Sequence, residues 1–177
     1  MLASLRTYLT RKVHASQRLC VLRARPKASG VLVRRKYLAL DARDARKAVC
    51  RLFASDHPFA VERLRRRSPP VPREWRICRF CRGRNMVEDE AHVLMLCRAE
   101  PLRSRRGAFM QAVYAALRSE KRAWPEQSPL SFLNAVIAEE CTEHIAAKYI
   151  LDMFQCCDAV PILVVTSVEQ FHSYAMP

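Results

Sequence analysis

The segment EWRICRFCRGRNMVEDEAHVLMLC, residues 74–97, carries three cysteines and one histidine in the spacing C-x2-C-x10-H-x4-C: Cys78, Cys81, His92 and Cys97. Two residues between paired cysteines let one tight turn aim both thiolates at a single ion. After Gly83, Asn85 is placed to cap a helix, with Glu88 at the capping-box position. Glu88, Asp89 and Glu90 then fall in the first turn, where carboxylates favour the positive helix end. His92 lies about one turn into that helix. Cys97 lies about 7.5 Å further along and well off the same face. Both reach one ion only if the helix ends or loosens near Cys97, and the following CRAEP offers that ending. Three thiolates with one imidazole favour zinc over calcium, magnesium or copper(II). With all four positions filled by protein, no site is left for activated water, so the expected cofactor is one structural Zn2+ per chain. The alternative is three buried thiols and a surface histidine.

On either side of this segment the pattern is helical. The chain has 177 residues, half of them hydrophobic, with only three glycines, and its apolar residues recur at helical rather than alternating spacing. A first helix is expected over Leu2–Val13, ending before PKASG at 26–30; residues 31–40 fit strand or helix equally. Asp41 and Asp44 resemble a capping box for a helix that buries Ala42, Ala45, Val49, Leu52 and Phe53. Asp56 is expected to cap the next helix, which turns Ala60, Val61 and Leu64 inward and Arg63, Arg65, Arg66 and Arg67 outward. SPPVP at 68–72 stops it. Phe109, Ala112, Val113, Ala116 and Leu117 trace a later stripe, which Pro125 and QSP (127–129) interrupt. Leu130, Leu133, Val136 and Ile137 trace another. A third runs through Ala146, Tyr149, Ile150, Met153, Phe154 and Cys157. The expected fold is mainly α, a small helical domain pinned by one CCHC zinc site with a basic N-terminal extension. Its divisions are 1–40 (extension), 41–72 (helical segment and Pro-rich connector), 73–107 (zinc-binding segment), 108–157 (C-terminal helices) and 158–177 (irregular tail).

Charge is uneven. Residues 1–106 hold 27 of the 31 Lys and Arg but 9 of the 17 Asp and Glu, so the front half is strongly cationic and the rear mildly acidic. That asymmetry points to a polyanion, with nucleic acid ahead of anionic lipid. The candidate contacts are Arg63, Arg65, Arg66 and Arg67 before the chelating turn, Arg79, Arg82 and Arg84 within it, and Arg103, Arg105 and Arg106 after it. No apolar run approaches a membrane span. The start lacks the apolar core of a signal peptide, so reduced thiols in the nucleus or cytoplasm are expected; its Arg-rich, acid-poor character also fits mitochondrial import. Cys20, Cys50 and Cys141 read as core thiols, and His57 as a helix-start residue.

Residues 75–109 resemble the zinc-binding region C-terminal to the reverse transcriptase of non-LTR (LINE-type) retrotransposons. There a cysteine pair is followed by an acidic run ending in histidine, an apolar helix, a closing cysteine and a helix that often begins Leu-Arg. The matching positions here are Cys78, Cys81, Glu88–His92, Cys97 and Leu102–Arg103. SDHPFAVERLR upstream and AAKYILDMF downstream resemble flanking segments of retrotransposon-derived fungal proteins. The resemblance implies a non-catalytic nucleic-acid-binding module, for RNA or DNA without sequence preference, with a reverse-transcriptase polypeptide as a protein partner. No Y-x-D-D box or endonuclease-like acidic constellation occurs, so no enzyme is expected. The rival reading is a remnant that folds around zinc and serves only protein interaction, or nothing. An enzyme would need an open zinc position and a base such as Glu90.

Overall fold

The structure is a computed structural model that describes residues 2–25, 32–83, 85–117 and 128–175. It is mainly α, as the spacing of apolar residues predicts, and among the described residues the extended pairing is confined to one antiparallel bridge, Ile77 with Val87. The helices are α1 (Leu2–Ala15), α2 (Cys20–Arg23), α3 (Arg43–Phe53), α4 (Ala60–Arg63), α5 (Leu102–Ala116), α6 (Pro129–Ala138), α7 (Glu143–Asp158) and α8 (Val168–Ala175).

Helix α7 is the centre of the molecule. Its stripe from Ala146 to Cys157 is buried as expected, packed most extensively on α3 and then on α5 and α6. Phe109 of α5 stacks on Tyr149 with ring centroids 4.1 Å apart, and Phe59 meets Phe154 edge-on at 5.5 Å. Each buried side chain of this size contributes about 1.5–3 kcal/mol of transfer free energy. The predicted inward residues of α3 and α4 are buried apart from Ala42, which is exposed and stands at the N-cap of α3. In α6, Ser128 caps through its hydroxyl, which accepts from the Ser131 N–H at 3.3 Å, and Pro129 follows at the first position.

Several expectations fail, each for a local reason. The Asp41/Asp44 capping box does not form: Ala42 is the N-cap and makes no side-chain bond. Asp56 does not cap α4. Its carboxylate is drawn instead to Arg66 (3.1 Å) and Arg51 (3.5 Å), which hold it below its ordinary value against the opposing effect of burial. Residues 36–39 form a 3-10 turn that buries Tyr37 against Phe53. The stretch read as an N-terminal extension therefore supplies Val21 and Tyr37 to the common core. The tail is not irregular throughout. Val165 is buried, and α8 returns Phe171 to stack on Trp75 at 5.9 Å. The expected breaks at residues 26–30 and at Pro125 lie outside the described residues.

Candidate metal centre

Two short extended pieces build the chelating knuckle. The Cys78 N–H donates to Met86 O and the Glu88 N–H to Arg76 O, both at 2.8 Å, around the Ile77–Val87 bridge. The reversal between them places Arg82 (φ 47°) and Asn85 (φ 57°) in the left-handed region. Asn85 is thus a turn residue and not the helix cap expected of it; asparagine tolerates this conformation better than most side chains. At Gly83 between them, an added Cβ would meet Met86 Cγ at 3.0 Å. The cap falls to Asp89, whose Oδ1 accepts from the His92 N–H at 2.9 Å.

Cys97 reaches His92 by a change of helix type. Residues His92–Leu96 form a π-turn, closed by the Cys97 N–H on the His92 carbonyl at 2.7 Å. In an α-helix a separation of five residues leaves two side chains about 140° apart; the wider π-turn aligns them. The loosening required by the sequence is this turn. The donor atoms of Cys78, Cys81, His92 and Cys97 all lie within 4.8 Å of one another. Cys78 Sγ is 3.9 Å from Cys97 Sγ, and Cys81 Sγ is 3.3 Å from His92 Nε2. Tetrahedral zinc with its usual bond lengths needs S···S of about 3.8 Å and S···N of about 3.5 Å. The set fits a metal ion of that size.

Backbone donors converge on the three sulfurs. Backbone N–H groups of Phe80 and Cys81 point at Cys78, that of Gly83 at Cys81, and that of Ala99 at Cys97. Such donors stabilise thiolates and orient them for a cation. Hydrogen bonding to Cys78, with a further contribution from His92, holds the Cys97 thiol well below its ordinary value, while Cys78 is pushed up by the same pairing and by burial.

Behind the knuckle sits an ion pair that the sequence did not reveal. Glu88 is fully buried and meets Arg79 at 2.6 Å. It also accepts the Ala60 and Arg79 backbone N–H groups, each at 2.9 Å. Arg79 donates onward to the carbonyls of Cys157 and Val160 (2.7 Å) and Pro58 (2.9 Å). Arg79 is therefore a structural strut and not a nucleic-acid contact: its guanidinium is spent on buried acceptors. Glu88 likewise belongs to no helix first turn.

The other proposed contacts divide by exposure. Arg63, Arg67, Arg82, Arg103 and Arg105 are exposed. Arg66 is exposed but reaches Asp56 and Ser55 O; Arg65 is half-buried on Glu62; Arg106 donates to Cys97 O at 2.7 Å and so braces the last ligand. Arg84 lies outside the described residues. Glu90 does not serve a metal: its carboxylate accepts from buried His57 at 2.9 Å, and from the Cys20 thiol, which burial and Glu90 push up. His57 is thus a buried partner of Glu90 and not a helix-start residue. Cys20 and Cys50 are half-buried and Cys141 is exposed, so the last is no core thiol.

The fold and the four converging donors define a small, mainly α domain with a Cys3His group able to hold a metal ion. No family model, curated protein or solved structure matches the chain. No described helix is long and apolar enough to cross a membrane.

Proposed function

We propose that the chain is a non-catalytic, zinc-containing nucleic-acid-binding module of the kind found C-terminal to the reverse transcriptase of non-LTR retrotransposons. The observation that carries this reading is a four-donor centre bordered in sequence by exposed arginines: Arg63 and Arg67 before it, Arg82 in its turn, Arg103 and Arg105 after it. With zinc held by four protein donors, the ion would fix the shape of the knuckle and activate no water. Guanidinium groups suit phosphate oxygens, and contacts of that kind position a nucleic acid without reading its bases.

The test is a titration of zinc-loaded protein with single-stranded RNA, single-stranded DNA and duplex in rising salt, with heparin as competitor. Binding to all three is expected, and log K should fall linearly with log salt as condensed counterions are released. Elemental analysis should find one zinc per chain. Zinc-loaded protein that binds none of the three at low salt would overturn the nucleic-acid reading.

A further inference from the structure

A cavity of about 450 Å3 opens where the N-terminal segment meets α4 and the residues leading into the knuckle, and none of the four metal-donating residues lines it. Its volume falls within the roughly 300–1,000 Å3 typical of small-ligand sites. Five arginines line it, Arg18, Arg23, Arg65, Arg73 and Arg76, brought together from three separate stretches of chain. Three carboxylates face them: Glu62, Asp89 and Glu90, of which Glu90 is already held by His57.

The charges do not balance. Buried Glu62 is shared by Arg18 (3.3 Å) and Arg65 (2.9 Å), so one carboxylate answers two of the lining guanidinium groups. Arg73 uses a single nitrogen on Asp89. The Arg23 side chain makes no hydrogen bond or ion pair among the described residues. Arg76 is buried, and its fork donates to the backbone carbonyls of Val61 and Val71, with no ion pair among the described residues. Each guanidinium retains N–H groups that these bonds leave unused. Forks that converge from several directions suit a tetrahedral anion with more acceptor oxygens than a carboxylate offers.

We propose that this cavity is a phosphate-binding site that seats one phosphate of a nucleic-acid strand, a ligand that rests on the functional reading above. Arg23 and Arg73 close on the phosphate, and Arg18, Arg65 and Arg76 form the fixed wall behind it, held in place by Glu62 and by the carbonyls of Val61 and Val71.

The test compares wild type, Arg23→Ala/Arg73→Ala and, as a control away from the cavity and from the arginines named above, Arg43→Ala/Lys47→Ala on the exposed side of α3. Fluorescence anisotropy of 3′-labelled single-stranded RNA is read across a salt series, with pyrophosphate as competitor and zinc content as the check on folding. The cavity variant should bind RNA about tenfold more weakly, with a log–log salt slope shallower by roughly 0.7–0.9 because one phosphate is no longer neutralised. Pyrophosphate should displace RNA from wild type and from the control variant at equal concentration, and lose that effect in the cavity variant. RNA bound by wild type and cavity variant with the same affinity and slope would overturn the site while leaving the nucleic-acid reading standing. Pyrophosphate binding that disappears in the variant, without any nucleic-acid binding by wild type, would overturn the strand as ligand and keep the phosphate in the cavity. If the double variant loses zinc, Arg23→Glu alone applies the same criteria, since that side chain holds nothing in the fold.

Discussion

Glu88 shows how far a residue's role can depart from its setting in the sequence. Within the run Glu88-Asp89-Glu90 it reads as a capping-box residue, one of three carboxylates in the first turn of a helix. In the fold it is fully buried, because Arg79, on the opposite side of the chelating hairpin, supplies both a guanidinium and a backbone N–H. Helical periodicity cannot report that pairing, since it depends on the hairpin that the cysteines close. The four residues of the Cys3His group were legible for the opposite reason: their chemistry and spacing are local. Replacing Glu88 by Ala leaves a buried guanidinium without its partner, at an expected cost of about 3–5 kcal/mol. Urea denaturation of the zinc-loaded variant measures it, and a loss below about 1 kcal/mol would mean the pair is not the strut described. Arg79→Ala should be comparably costly.

The π-turn at His92–Leu96 is the element on which the site depends. A four-residue gap between His92 and Cys97 reads as a mismatch on an α-helix, and the sequence shows that a departure is needed without showing its form. The hydroxyl of Tyr149, on α7, donates to the Leu94 carbonyl inside this turn. That long-range bond had no signal in either segment, although the stripe that buries Tyr149 was plain. The same division holds for helix starts. Apolar stripes located α3, α6 and α7, whereas the expected caps do not form: α3 begins after Ala42, Arg66 draws Asp56 away, and Asn85 sits in the left-handed turn. Inserting one alanine between Leu96 and Cys97 should swing the Cys97 sulfur by roughly 100°. Stoichiometric zinc should then be absent in elemental analysis, while α7 remains helical by circular dichroism. Full zinc retention in the insertion variant would remove Cys97 from the ligand set.

At the scale of the whole molecule, two kinds of cohesion meet. The helices α3, α5, α6 and α7 share a continuous apolar core, which Cys78, Val93, Leu94 and Cys97 join. The knuckle's hairpin, by contrast, is held by the Ile77–Val87 bridge and a few short backbone bonds, and its polar attachments to the helices include those of Arg79, Glu88, Tyr149 and Arg106. The N-terminal segment joins through polar bonds of its own, Arg18 on Glu62 and the Asn134 amide on Val21 O at 2.8 Å, which no composition or charge count foreshadowed. Stability should therefore be unequal along the chain, with the metal supplying most of what orders residues 76–97. Removing zinc with a chelator should release amide-hydrogen protection in the knuckle and π-turn first and leave α3 and α7 protected, because their buried faces stay covered by one another when the ion departs. Hydrogen exchange followed by mass spectrometry resolves these segments. If α7 loses protection together with the knuckle, the ion stabilises the molecule as one cooperative unit, and the apolar core does not stand without it.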